Sequence, residues 1–383
     1  MTMKREIYGP EHELFRDSLR RFLEAEVGPN LERWEARGGF EHGLFAKAGA
    51  AGLLCPAVPE AYGGPDADLL YSAIVLEEAA PYSNFGLSLT MHSEIVTNYL
   101  LHFGSEHLKR TYLPRMVSGA SIGALAMTEP GTGSDVKAVR AVAVRGRDRE
   151  GDHYLLSGAK TFISNGTVCD LVIVVAKTDP AAGAKGLSLF VVDATLPGFT
   201  KGQPLKKIGL KSQDTGELFF DRVRVPAQNL LGEENKGFAY LMQELPWERL
   251  QIAISAVAAA EAAYRWTVDY VRDRRAFGQA VADFQNTRFV LAGLKTEIQI
   301  GRSFVDRCIA LLLKGELDAQ AASMAKLWCS EMQGRVVDAG VQLHGGYGFM
   351  AEYPIARAYV DARAQRIYGG TNEIMKELIG RDL

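Results

Sequence analysis

The sequence predicts a mostly helical α+β chain in three parts: helical over 1–121, β over 122–232 and helical again over 233–383. Three observations predict it. Apolar residues recur at helical spacing up to about Gly119. Runs of β-branched residues bounded by turn residues replace that period from about Ile122 to Leu231. The helical period then returns near Glu234 and persists to the end.

In the first part, Pro10 suits a first helical turn, and Leu14, Phe15, Leu19, Phe22 and Leu23 continue at helical spacing until Gly28 and Pro29 end the run. Further helices fit Glu41–Ala51, Leu69–Ala80, Asn84–Phe103 and Glu106–Val117, the last shortened by Pro114. Pro56, Pro59, Gly63, Gly64 and Pro65 mark a loop. In the second part, Leu171–Ala176, Leu187–Val192 and Phe219–Val225 read as strands, and 147–152 as a hairpin tip. Several short strands without intervening helices predict an antiparallel sandwich or barrel. In the third, long segments fit Gly237–Arg274, Asn286–Lys314 and Asp318–Leu343. With a final helix near Glu373–Gly380 they suit a four-helix-type bundle.

Composition narrows the function classes. Of the residues, 47% are hydrophobic and 23% charged, a globular profile that excludes a disordered chain. The net charge of -3 offers no electrostatic footprint for nucleic acid or an anionic membrane. The four cysteines, Cys55, Cys169, Cys308 and Cys329, are scattered, which argues against zinc ribbons, iron–sulfur sites and a disulfide scaffold. His92, His102 and His107 lack a metal-ligand spacing, so no metal is expected. No apolar run is long enough to span a membrane. Lys4 and Arg5 have no apolar run behind them, so the N-terminus reads as neither a signal nor a transit peptide. The expectation is a bacterial-type cytoplasmic protein, although a mature organellar chain would read the same.

Five strings carry chemistry. Thr128-Glu-Pro-Gly-Thr-Gly-Ser-Asp135 can present backbone N–H groups to a phosphate, although composition alone reads it as a plain turn. It is neither a Rossmann fingerprint nor a Walker loop. Lys160-Thr-Phe-Ile-Ser-Asn-Gly166, Arg272-Asp-Arg-Arg-Ala-Phe-Gly-Gln279, Gln342-Leu-His-Gly-Gly-Tyr-Gly-Phe349 with Glu352-Tyr-Pro354, and Ile367-Tyr-Gly-Gly-Thr-Asn-Glu-Ile374 follow in order. Together they resemble the flavin and active-site segments of the acyl-CoA dehydrogenase family, in register over nearly the whole chain. The match is closest to its long-chain members.

The resemblance implies FAD, an acyl-CoA substrate, an electron-transfer flavoprotein as acceptor, and a homotetramer built as a dimer of dimers. Met127, Thr128, Gly133 and Ser134 would serve the flavin and its phosphates. Phe162 would cover the ring and Ser164 would reach its N5. Arg274 and Phe277 would reach the FAD of a neighbouring subunit, and Gln285 would also contact the cofactor. Gln342 and Gly346 would cradle pyrophosphate and adenosine, with Thr371 and Glu373 completing the cofactor contacts. Ser134, Arg249, Tyr368 and Gly370 would contact substrate.

One departure matters most. The family's common pattern has Glu, the base that removes the α-proton, where this chain has Gly369. Glu248, in Met242-Gln-Glu-Leu-Pro-Trp-Glu-Arg-Leu250, resembles the alternative base of the long-chain and isovaleryl types. From its own string alone, beside Arg249 and four residues after Glu244, it would read as a solvated helix face. Pro246 could kink the helix and aim Glu248 inward. Gly369 keeps a backbone N–H for an oxyanion hole and leaves free the volume of a Glu side chain. The small residues of Ala253–Ala263 fit either close helix packing or a long acyl cavity. The expected activity is FAD-dependent α,β-dehydrogenation of saturated, long-chain acyl-CoA to trans-2-enoyl-CoA. The alternatives are a branched-chain, isovaleryl-type enzyme, a flavin monooxygenase on the same fold, and a non-catalytic acyl-CoA-binding protein.

Overall fold

The computed structural model describes residues 5–83 and 88–381. The first part contains α1 (Pro10–Phe22), α2 (Leu31–Arg37), α3 (Gly43–Ala50), α4 (Leu69–Glu78), α5 (Thr97–Phe103) and α6 (Glu106–Val117). Acidic Glu11 and Glu13 at the start of α1, and Arg20 and Arg21 at its end, complement the helix dipole. Gly28 and Pro29 do not end the helical run. A π turn (Leu23–Val27) and a 3₁₀ turn (Gly28–Asn30) carry the chain straight into α2. Pro29 occupies a first-turn position there, where its missing N–H is not needed. The expected helix Asn84–Phe103 is helical from Leu89 onward, through a second π turn (Met91–Val96) into α5; 84–87 lie outside the described residues.

The middle part holds β1 (Gly123–Ala126), β2 (Val142–Asp148), β3 (Gly151–Ser164), β4 (Leu171–Lys177), β5 (Leu187–Asp193), β6 (Phe199–Lys201), β7 (Thr215–Pro226) and β8 (Leu230–Leu231). They form one sheet in the order β6-β7-β3-β2-β4-β5-β8, with β1 also on β4. The expectation of a purely antiparallel arrangement is corrected: β1 pairs with β4 in parallel, and β2 touches β4 in parallel at Val142 and Lys177. The β2–β3 hairpin lies between β1 and β4 in sequence and returns the chain to the same direction. Both β1 and β4 are buried along nearly their whole length, as parallel pairs require.

The last part holds α7 (Gly237–Asp273), a small hairpin of β9 (Arg275–Ala276) and β10 (Gln279–Ala280), α8 (Gln285–Leu313), α9 (Ala319–His344), α10 (Pro354–Ala362) and α11 (Asn372–Gly380). Neither Pro114 nor Pro246 ends its helix. The residues four back, Arg110 and Met242, are exposed, so water replaces the lost hydrogen bonds. Ala253, Ala256, Ala260 and Ala263 are buried in one core with Ile298 and Val305 of α8 and Met332 and Val336 of α9. The small residues thus serve close helix packing.

A buried charge network ties the first part to this bundle. Glu77 of α4 receives Arg302 of α8 at 2.8 Å and Arg16 of α1 at 3.0 Å. Despite the cost of burial, these guanidiniums and Arg5 hold its carboxyl down at about 2. The network fixes α4 against α1 and α8.

Candidate active site

The segment 89–103 runs antiparallel to α7, and polar pairs cross between them. His102 Nδ1 lies 2.6 Å from Glu244 Oε1. Tyr99 OH donates to Glu248 Oε1 at 3.0 Å. Gln251 Nε2 donates to the Glu94 carbonyl at 3.4 Å. Glu244, Glu248 and Gln251 share this face through the i, i+4, i+7 spacing of one helix, and Pro246 within α7 leaves that register intact.

Burial pushes the Glu248 carboxyl up to about 7. Neighbouring Glu244 adds to the rise, while the Tyr99 hydroxyl and the Arg249 guanidinium oppose it. A carboxylate poised near neutrality is a proton acceptor matched to physiological pH. Arg249 is itself buried, which lowers its pKa. One of its terminal nitrogens donates to Ser323 Oγ at 3.3 Å, and its Nε has no hydrogen-bond partner among the described residues.

Gly369 and Gly370 stand at φ +65° and +88°, in the left-handed region that favours glycine. A Cβ on Gly369 would fall inside van der Waals contact with Cδ1 of Ile252. The expectation of free volume at this position is therefore corrected. Ile252, one turn after Glu248 on α7, fills the space into which a side chain at 369 would point. Lys326 of α9, wholly buried, donates to the Gly370 carbonyl at 2.8 Å and to Asn372 Oδ1 at 2.7 Å. Thr371 caps α11 by accepting from the Ile374 N–H, with exposed Glu373 in the first turn. Tyr368 is partly buried, and burial raises its hydroxyl pKa well above the ordinary value, with Asp361 adding to the rise.

A second cluster gathers on the sheet. The N–H of Thr161 donates to the Thr128 carbonyl at 3.0 Å, joining the glycine loop to β3. Lys160, fully buried, reaches the Met127 carbonyl at 3.0 Å and Glu129 Oε1 at 2.8 Å. Glu129 in turn accepts the N–H groups of Arg140 and Ala141. Above this pinned base, Gly133 and Ser134 are exposed, and no atom lies within 4 Å of a Cβ built on Gly131 or Gly133. Phe162 sits at a register shift between β3 and β7, at φ +58°, with 67% of its surface exposed. A strained, exposed aromatic is held for a purpose other than the core. Ser164, at the end of the same strand, is partly accessible.

A third cluster lies at the far end of α7. Arg274, Gln342, Gly346, Tyr270 and Tyr347 line a cleft of about 540 Å³. Arg274 stacks its guanidinium 5.8 Å from the Tyr347 ring. Cβ positions on Gly345 and Gly346 would again meet open space. The structure does not bring Phe277 or Gln285 into this cleft. Phe277, at the tip of the β9–β10 hairpin, is 96% exposed at φ +50°, and Gln285 opens α8 at the surface.

Sequence reasoning missed Tyr99, Lys326 and Ile252 as parts of the first cluster, and the Lys160–Glu129 pair beneath the second. Lys160 lay inside a quoted string, but nothing marked it as a staple. Tyr99 is 149 positions from its partner, beyond any local pattern.

These clusters suit a dinucleotide-like cofactor. Glycine loops open onto free space in two places, aromatic surface is exposed beside one of them, and an arginine cleft stands at the other. Fold and site together define an enzyme-like scaffold of two helical parts around a sheet, with a partly buried carboxylate as its candidate base. Comparison with known proteins makes this specific. The chain matches the acyl-CoA dehydrogenase N-terminal domain over residues 9–120, the middle domain over 124–223 and the C-terminal domain over 235–383. It is 52% identical to the long-chain specific acyl-CoA dehydrogenase, mitochondrial, of Sus scrofa, covering 99% of this chain and 88% of that one. The structure of an acyl-CoA dehydrogenase from Geobacillus kaustophilus superposes with a TM-score of 0.95 at 47% identity, over 99% of both chains. One from Bacillus anthracis, complexed with FAD, gives 0.91 at 33% identity, over 99% of this chain and 67% of that one. The chain belongs to the acyl-CoA dehydrogenase family, whose members are FAD flavoproteins. Among the described residues, no helix is long and apolar enough to cross a membrane.

Proposed function

We propose that this enzyme dehydrogenates long-chain acyl-CoA thioesters with Glu248 as its base. The observation that carries the reading is the partly buried Glu248 carboxyl, raised toward neutrality and held by Tyr99, on the same helix face as Ile252, which meets position 369. Glu248 takes the proton from the α-carbon. The Gly369 N–H donates to the thioester carbonyl and stabilises the charge that develops there. Lys326 fixes the carbonyl of the following residue, Gly370, and so steadies the turn that presents the donor. FAD, when bound, supplies the acceptor for the β-hydrogen and its electron pair.

In this reading Thr128, Gly133 and Ser134 hold the phosphates, and Phe162 and Ser164 hold the flavin ring. Met127, Arg274, Phe277, Gln285, Gln342, Gly346, Thr371 and Glu373 complete the cofactor contacts, some of them across a subunit boundary. Arg249, Tyr368 and Gly370 face substrate. Electron-transfer flavoprotein receives the electrons, and the assembly is a dimer of dimers. The long-chain preference is supported by the 52% identity to an enzyme of that specificity. The test is an anaerobic titration of the purified flavoprotein with palmitoyl-CoA. The reading expects the visible flavin band to bleach. A band left intact by palmitoyl-CoA, but bleached by isovaleryl-CoA, would move the assignment to branched substrates.

A further inference from the structure

Beside the first cluster, where α4, the π turn Met91–Val96 and α7 meet, three polar side chains are buried without adequate partners. Ser72 and Gln251 are 0% exposed and Glu94 is 1% exposed. Among the described residues, neither oxygen of the Glu94 carboxyl makes a hydrogen bond, and the same holds for Ser72 Oγ and Gln251 Oε1. Ser72 interacts with the Glu94 carboxyl and opposes the upward pull of burial on its pKa. Gln251 is held against the same turn through its donation to the Glu94 carbonyl.

Buried polar atoms are nearly always paired, and a group that is not calls for a ligand, an ion or water. Here the unpartnered atoms are mostly acceptors: two carboxyl oxygens and one amide oxygen, against a single hydroxyl. Such a set suits a hydrogen-bond donor, and in surroundings this apolar a neutral hydroxyl costs less to bury than an ammonium group. The location adds to this. Gln251 follows Glu248 by three residues on α7, about 4.5 Å along the helix axis. Glu94 precedes Tyr99, which holds Glu248, on the facing segment. The turn that carries Glu94 is a π turn, a local irregularity that recurs at functional sites.

We propose that Glu94, Gln251 and Ser72 form a subsite for a hydroxyl group carried on the acyl chain of the thioester, beyond its β-carbon. The proposal rests on the reading of Glu248 as base, because that places the α-carbon beside this face of α7. A plain alkyl chain passing the subsite leaves the acceptors unpaired, whereas a hydroxylated chain satisfies them. Sites built to bond a substrate hydroxyl discriminate strongly against the analogue that lacks it.

The test measures kcat/KM for anaerobic flavin reduction by the holoenzyme. The substrates are palmitoyl-CoA and a series of hydroxypalmitoyl-CoAs with the hydroxyl moved outward from the γ-carbon. The expected result is one hydroxyl position favoured over palmitoyl-CoA by roughly tenfold or more. Glu94→Leu should abolish that preference and speed palmitoyl-CoA. Gln251→Leu should weaken the preference in the same direction, and serves if the Glu94 variant does not fold. Two results would overturn the proposal while leaving the dehydrogenase reading intact: equal use of plain and hydroxylated chains by the wild type, or a preference that survives both substitutions. Failure of every thioester to bleach the wild-type flavin would instead sink the reading of Glu248 beneath it.

Discussion

At Glu248, burial and Glu244 favour the protonated carboxyl, while Tyr99 and Arg249 favour the charged one. The balance near 7 fixes the sign of the pH dependence. A base works only when deprotonated, so flavin reduction should rise with pH through about 7 and level off above it. Tyr99→Phe removes a hydrogen bond that favours the charged form. The midpoint should move up by about one pH unit, with the alkaline plateau retained. Stopped-flow reduction across pH checks this, and a midpoint that moves down would contradict the geometry. Glu248 was legible because its string resembled that of a base, and Gly369 because a glycine stood where a carboxylate was expected. Tyr99 was not legible. A hydrogen bond between residues this far apart exists only once α5 lies along α7, and nothing in the sequence near either residue announces it.

At the scale of the elements, the proposed placement of the base on α7 instead of at position 369 is also a matter of packing. A side chain at position 369 meets two obstacles, the positive φ and the terminal methyl of Ile252, which would have to turn aside. Moving the base back therefore requires more than one change. Gly369→Glu in a Glu248→Gln background should stay inactive and lose about 1–3 kcal/mol of stability to the forced backbone. Adding Ile252→Ala should open the volume and restore part of the flavin reduction. Thermal melts and reduction rates on the two variants check this, and equal activity with or without Ile252→Ala would show that the isoleucine is no obstacle. The sequence disclosed the long helices α7, α8 and α9 almost to the residue, because each carries many turns of consistent period. It misled where one residue type carries an expectation alone. Pro29 signals a stop and Pro114 a shortened helix, yet each sits where its missing N–H is redundant or where water can take over.

Over the whole molecule, the order helical, sheet, helical was readable from the changes of period. The parallel pairing of β1 with β4 was not, since pairing direction depends on what the chain does between the strands. The site divides likewise. Its candidate cofactor loops were visible as strings, but their relation to one another had to come from the fold. Arg274, Gln342 and Gly346 share a cleft, while Phe277 projects away from it with nearly all its ring exposed. Such exposure of a large aromatic fits a surface completed by another subunit. Phe277→Asp should therefore weaken assembly and lower FAD content together, read by light scattering and by the ratio of flavin to protein absorbance. An unchanged oligomer with full FAD would place that ring outside any interface.

The central claim is that Glu248 takes the α-proton. Its most direct test is Glu248→Gln, titrated anaerobically with palmitoyl-CoA after FAD content and thioester binding are shown to match the wild type. The account predicts that the thioester binds and perturbs the flavin spectrum, while bleaching slows by at least about a hundredfold. Bleaching at the wild-type rate would contradict it, and the base would have to be sought elsewhere in the site.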